Sequence, residues 1–96
     1  MKTSSLLPTT HLFVCANRRA EGDPLGPGCG DHGERVYAAL KREIGSTRQT
    51  VTTWVTKTAC LGLCPKHGAT VACYRLARGE AQIYVDVTES EAVSLL

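Results

Sequence analysis

Several features are scarce in this sequence, and each absence excludes a class of function. No apolar run approaches the roughly 20 residues that span a bilayer, which argues against a membrane protein. The 11 Lys and Arg against 9 Asp and Glu give a net charge of +2, too balanced for the basic stripe that binds nucleic acid. The first apolar stretch, Leu6 and Leu7, ends at Pro8, so a secretory signal peptide is not expected. We therefore expect a cytoplasmic protein that binds neither membrane nor nucleic acid.

Catalytic side-chain combinations are missing as well. The sequence offers no Ser-His-Asp order, no paired carboxylates and no phosphate-binding loop, so we do not expect an enzyme. A length of 96 residues accommodates one domain. We assign residues 10–96 to that domain and residues 1–9, which lack periodicity, to a flexible N-terminal tail.

Cysteine is what the sequence does contain in excess. Five cysteines are more than ordinary packing requires and fewer than a dense disulfide scaffold carries. In a reducing compartment thiols stay reduced, and an odd number would leave one thiol over in any disulfide scheme. The composition therefore favours metal or cluster ligation over disulfide bonds.

The hydrophobic periodicity predicts an α/β fold with a mixed sheet. Strand, helix, strand, strand, strand and helix follow in that order, at residues 11–15, 32–44, 50–58, 69–74, 81–86 and from 88. Asp31 with Glu34, and Thr88 with Glu91, have the spacing of helix capping boxes. A right-handed crossover beside an antiparallel pair gives a mixed four-stranded sheet of thioredoxin-like plan, with the order β-α-β-β-β-α.

Four of the cysteines fall where this topology would bring them together. Cys15 ends the first strand, Cys29 lies late in a loop rich in Gly and Pro, and Cys60 and Cys64 follow the second strand. The carboxyl ends of parallel strands lie side by side, so we expect all four at one end of the sheet. Cys73 falls inside a strand and is expected to be a small buried hydrophobe.

Spacing alone leaves the bound group open between zinc and an iron-sulfur cluster. Structural zinc sites usually combine two close pairs of ligands, but only Cys60 and Cys64 form such a pair here. Neither the bacterial nor the plant-type ferredoxin spacing occurs. A dithiol oxidoreductase would need a Cys-x-x-Cys motif, which the sequence lacks.

A resemblance to one family narrows this choice. The features that carry it are a cysteine ending a short apolar strand, a second one in a long loop before a helix containing Ala39-Leu40-Lys41-Arg42-Glu43, the motif Cys60-Leu61-Gly62-Leu63-Cys64, and Val87-Thr88-Glu89. Over residues 10–96 this pattern resembles the thioredoxin-like 2Fe-2S ferredoxins. The resemblance implies one 2Fe-2S cluster with the ligands Cys15, Cys29, Cys60 and Cys64, and a homodimer, since the family is commonly dimeric.

The expected function is that of a one-electron carrier that serves a redox partner protein. Two alternatives remain: a redox-sensing or structural cluster that governs binding to a partner, and a zinc-stabilised interaction module. Arg18 and Arg19 would favour an acidic partner.

Other residues near the cysteines and in the regular elements carry expectations of their own. Glycine N–H groups can approach sulfur closely, and the candidates for this are Gly26, Gly28, Gly30 and Gly62. Trp54 and Tyr37 are expected in the core. The three histidines are expected to be exposed or structural rather than ligands, at His11, His32 and His67.

Overall fold

The fold contains the six predicted elements in the predicted order. The structure is a computed structural model that describes residues 1–24, 26, 28–59 and 68–96. Its elements are β1 (Thr10–Cys15), α1 (Gly30–Ser46), β2 (Thr53–Thr58), β3 (Ala69–Arg75), β4 (Glu80–Val87) and α2 (Glu89–Val93). A short 3-10 turn and Gly79, which has a left-handed φ of 64°, connect β3 to β4.

The four strands form one mixed sheet in the order β2-β1-β3-β4. β1 pairs with β2 in parallel and with β3 antiparallel, and β3 pairs with β4 antiparallel. The parallel pair requires a crossover, which α1 supplies. The predicted mixed four-stranded sheet is thereby confirmed.

Alternation along β1 separates two faces of the sheet. Leu12 and Val14 are fully buried and pack with Val36 and Leu40 of α1, on what we call the inner face. α2 contacts α1 and adds Ala92 to the same apolar cluster. The opposite, outer face carries aromatic rings in contact with one another, from His11, Phe13, Trp54 and Tyr74. No helix in the described ranges is both long and apolar enough to cross a membrane.

The start of α1 differs from the prediction. The helix begins at Gly30 with Cys29 as its N-cap, and no side chain caps it. Asp31 lies inside the first turn, where it accepts a hydrogen bond of 2.6 Å from Arg18. The predicted capping box at Asp31 is therefore wrong, because a tertiary ion pair takes the carboxylate that would have capped the helix.

Two further predictions in this part of the chain need correction, and one at the C-terminal end is confirmed. β2 begins at Thr53 rather than residue 50, because Thr52 and Thr53 both donate backbone hydrogen bonds to Gln49 and keep the chain in a turn. Trp54 is half-buried on the outer face rather than in the core. The capping box of Thr88 and Glu91 is present as predicted.

Candidate metal centre

Cys15 lies where the ends of β1 and β2 are tied together. Its side chain is fully buried, and its Sγ lies 3.7 Å from the carbonyl oxygen of Ala59. The next residue, Ala16, donates a 3.0 Å backbone hydrogen bond to Thr58, so the pairing continues one step past the strand. Ala59 directly precedes Cys60, the first residue of the predicted Cys60–Cys64 motif, in the sequence. Residues 60–67 themselves lie outside the described ranges.

Cys29 is brought to the same end of the sheet by backbone contacts. The residue after it, Gly30, donates a 3.0 Å hydrogen bond to the carbonyl of Asn17, two residues beyond Cys15. The Cys29 side chain is fully buried, and its Sγ lies 3.9 Å from Oγ1 of Thr70 at the start of β3. The structure therefore places two of the four predicted ligands, Cys15 and Cys29, at one end of the sheet.

Glycines make this close approach possible at two positions. Gly28 has a φ of 81°, and a Cβ there would overlap the carbonyl oxygen of Asn17. A Cβ at Gly33 would overlap the carbonyl oxygen of Cys15 and lie 2.9 Å from Cα of Ala16. The first turn of α1 thus packs backbone to backbone against the end of β1.

The outcome for the predicted glycines is mixed. Gly28 and Gly30 lie against residues 17 and 18, whereas a Cβ at Gly26 would meet nothing within 4 Å. Gly62 lies outside the described residues. The sequence reasoning missed Gly33, whose signal was a glycine placed in the first turn of a helix that follows a candidate ligand.

Two threonine hydroxyls near the cysteines were also missed. Thr58 is the direct partner of Cys15 in the parallel register. Its Oγ1 is buried and has no hydrogen-bond partner in the part of the chain that the structure describes. Thr70 is fully buried and contacts Cys29. Their signal in the sequence was a polar residue at a strand end, next to the loop that carries the cysteine motif.

The positive charge of Arg18, three residues after Cys15, is partly neutralised by an ion pair. Arg18 pairs with Asp31 at 2.6 Å, and both side chains are largely exposed. The hydrogen bond and charge of Arg18 lower the pKa of the Asp31 carboxyl below its ordinary value. Arg18 also stands over the helix start, because a Cβ at Gly30 would lie 2.8 Å from its Cγ. The ion pair therefore links the segment after β1 to the first turn of α1.

Cys73 belongs to a different environment. It is 2% exposed, pairs with Leu12 across the sheet and lies in the apolar cluster of the inner face. Burial raises the pKa of its thiol, which keeps the thiol protonated. The prediction of a small buried hydrophobe at this position is confirmed.

The described histidines have protein partners of their own. His11 Nε2 is hydrogen-bonded to Thr56 Oγ1 at 2.9 Å, and its ring stacks on Phe13. His32 Nδ1 accepts a 3.0 Å hydrogen bond from Arg35. His67 lies outside the described residues.

The groups at this end of the sheet fit a sulfur-ligated metal centre. Thiolates are the ligands of iron-sulfur clusters and of many zinc sites, and two thiols are present here. A buried hydroxyl without a described partner adds a donor of the kind that stabilises sulfur ligands. Within the described ranges no three or more His, Cys, Asp or Glu side chains cluster for a metal ion, and the predicted ligands Cys60 and Cys64 fall outside those ranges.

Comparison with known proteins gives a structural likeness without a sequence-level match. No protein-family model matches the chain, and no curated protein matches it significantly. The wild-type thioredoxin-like [2Fe-2S] ferredoxin from Aquifex aeolicus superposes with a TM-score of 0.74 and 26% identity, over 93% of this chain and 82% of that one. A second structure of a thioredoxin-like [2Fe-2S] ferredoxin from Aquifex aeolicus superposes with a TM-score of 0.75 and 24% sequence identity. This match covers 93% of this chain and 77% of that one.

These matches confirm the expected fold. The chain has a thioredoxin-like α/β fold, and its structure is similar to that of the thioredoxin-like ferredoxins. The resemblance noted from the spacing of the cysteines is thereby supported by an independent observation, because superposition of the backbone does not depend on which residues are cysteine.

Proposed function

We propose that this protein is a one-electron carrier that binds a single 2Fe-2S cluster through Cys15, Cys29, Cys60 and Cys64. The observation that carries the proposal is the position of both buried thiols at one end of the sheet, with Cys15 beside the residue that precedes Cys60 and Cys29 beside Thr70. The likeness to a ferredoxin at 26% identity supports the choice of cluster over zinc. The proposed role is not enzymatic, and the proposed setting is the cytoplasm, where thiols stay reduced.

A 2Fe-2S cluster, when bound, accepts one electron and returns it. The chain would hold its ligands nearly still during this exchange. Cys15 ends a strand that is paired on both sides, and Cys29 caps a helix whose first turn contacts that strand end. Both thiols are fully buried, so they bind away from bulk water. Ligands that move little and a site that excludes water both favour rapid electron exchange. They favour a carrier over a protein whose binding to a partner changes with its redox state.

Metal analysis and visible spectroscopy test the proposed cofactor. Protein purified without oxygen should contain iron and acid-labile sulfide in about a 1:1 ratio, about two of each per chain. Its visible absorption should bleach on addition of dithionite, which supplies the electron. One tightly held zinc and no sulfide would overturn the proposal and favour the zinc-stabilised module.

The carrier role is distinguished from a redox switch by comparing oxidised and reduced protein. A carrier should show the same amide-exchange protection in β1, β3 and α1 in both states, and should bind its redox partner with similar affinity in both. Tenfold tighter binding by one state, about 1.4 kcal/mol, together with altered protection across the sheet, would favour the switch instead.

We further propose that the protein is a homodimer joined through the outer face. Exposed apolar side chains extend the aromatic contacts there, with Tyr74 38% and Ile83 51% exposed. Aromatic side chains are enriched in interface cores, and a twofold interface uses one patch on both copies. Sedimentation should show a dimer for the wild type and for Val51→Lys, at an exposed turn residue, and a monomer for Ile83→Lys. A monomeric wild type would overturn the dimer.

A further inference from the structure

Two threonines lie on the strands that pair with β1, near the end of the sheet that holds its last residue, Cys15. Thr58 is its register partner on β2. On the other side the last antiparallel pair joins Val14 to Val71, the residue that follows Thr70 in β3. Side chains of directly paired residues project from the same face of a sheet. Both hydroxyls therefore lie at the end of the sheet where the thiols converge.

Burying the Thr58 hydroxyl costs free energy, and no hydrogen bond in the described part of the chain compensates for this cost. Its Oγ1 finds no hydrogen-bond partner among the described residues. A buried polar group without a partner costs about 1–3 kcal/mol. The neighbouring Thr56, on the same side of the same strand, has its hydroxyl bonded to His11. The cost at Thr58 is explained if its hydroxyl serves as a donor to a group bound beside Cys15.

The Thr70 hydroxyl already contacts a predicted ligand. Its Oγ1 lies 3.9 Å from Sγ of Cys29, where the thiol is the donor. A thiolate has no proton to donate, so on metal binding the direction must reverse and the hydroxyl becomes the donor. Thr70 is fully buried, which strengthens an electrostatic contact by excluding water.

We propose that the hydroxyls of Thr58 and Thr70 donate O–H···S hydrogen bonds to the sulfur atoms of the bound cluster and its ligands, and thereby raise its reduction potential. This inference rests on the proposed function. One-electron reduction adds one negative charge, and a hydrogen-bond donor stabilises the more negative state more strongly. Thr58 and Thr70 are thus positioning residues that tune the potential without binding iron.

Threonine-to-valine substitutions test the proposal, since they remove the hydroxyl and keep the side-chain shape. Thr58→Val and Thr70→Val should each lower the equilibrium constant for one-electron reduction about tenfold, which is about 59 mV. The double variant should shift it further in the same direction. Thr58→Ser and Thr70→Ser, which keep the hydroxyl, should stay near the wild-type potential.

The matched control is Thr53→Val. Thr53 is a buried threonine of β2 as well, but its hydroxyl bonds to Gln49 and it lies at the opposite end of the strand from Thr58. Its substitution should leave the potential unchanged. A second readout is the iron-sulfur stretching region of the resonance Raman spectrum, where the shift on transfer to D2O should shrink in Thr58→Val and Thr70→Val and persist in the control.

The outcomes separate this inference from the function on which it rests. A wild-type protein without a cluster would overturn the proposed function. A wild-type cluster whose potential is the same in Thr58→Val, Thr70→Val and the control would overturn the hydroxyl role alone. If valine and alanine variants at both positions lose the cluster while the serine variants keep it, the hydroxyls serve assembly rather than potential, which also overturns the proposal.

Discussion

The inner face of the sheet and its cysteine end both bury cysteine, yet they differ in what surrounds the sulfur. Cys73 on the inner face and Cys15 and Cys29 at the cysteine end are at most 2% exposed. Cys73 lies among apolar side chains, and burial raises its pKa. Cys15 and Cys29 lie beside carbonyls, hydroxyls and close-packed glycine backbone. Burial alone therefore does not distinguish a proposed ligand from a packing residue, whereas the polar groups around the sulfur differ between the two.

The largest difference between the two regions should appear when their cysteines are replaced. Cys15→Ser and Cys29→Ser should each abolish or strongly alter the visible chromophore, because each removes a thiolate ligand. Cys73→Ala should keep the chromophore and lower the free energy of unfolding by about 1–2 kcal/mol, since it removes only packed volume. Absorption spectra and chemical denaturation measure the two effects. A chromophore lost with Cys73→Ala but unchanged in Cys15→Ser would contradict the assignment.

The second test compares two glycines of α1. Gly33→Ala should destabilise the fold by about 3 kcal/mol or more, because its Cβ would overlap backbone of Cys15 that cannot move without breaking the sheet. Gly45→Ala, near the other end of the same helix, meets nothing within 4 Å. It should stabilise the protein by about 0.5–1 kcal/mol through helix propensity. Equal denaturation midpoints for the two variants would refute the close backbone contact between the first turn of α1 and the end of β1.

A smaller effect is expected from the cap of α2, which belongs to the inner face through Ala92. Thr88 accepts a hydrogen bond from the backbone of Glu91, and Glu91 in turn accepts one from the backbone of Thr88. Thr88→Ala should cost about 1 kcal/mol in thermal or chemical unfolding. The spectrum of the bound cluster should not change, and a change would mean that the two regions are coupled through α2.

The smallest effect should be a pH dependence from the same cap. Hydrogen bonds from Thr88 lower the pKa of Glu91 below its ordinary 4.5 in the folded state. Its contribution to stability is therefore complete above about pH 4.5 and is lost as the pH falls through the lower folded pKa. Glu91→Gln should remove that part of the acid sensitivity, measured as the difference in unfolding free energy between wild type and variant at neutral and acidic pH. An unchanged pH profile would argue against the carboxylate's role.

Local sequence was sufficient for much of the fold. Alternating apolar residues around Leu12 and Val14, the period of α1 and the threonine cap of α2 each determined an element, because these signals depend on neighbours a few residues apart. The order of the elements then implied the parallel pair β1 and β2, and with it the convergence of Cys15 and Cys29. Cys73 was also predictable, since a cysteine inside an apolar strand pattern has no polar group nearby to engage it.

Long-range contacts decided the rest. Asp31 has the sequence of a helix cap, but Arg18 draws it into an ion pair and Cys29 takes the N-cap position. The need for glycine at position 33 arises from the carbonyl of Cys15, which is distant in the sequence. The hydroxyls of Thr58 and Thr70 adjoin the thiols only because three strands pair in one register. The sequence by itself determined which residues could bind a cluster, whereas only the tertiary structure decided which neighbours surround them, because those neighbours come from separate strands whose side chains meet only after the sheet has formed.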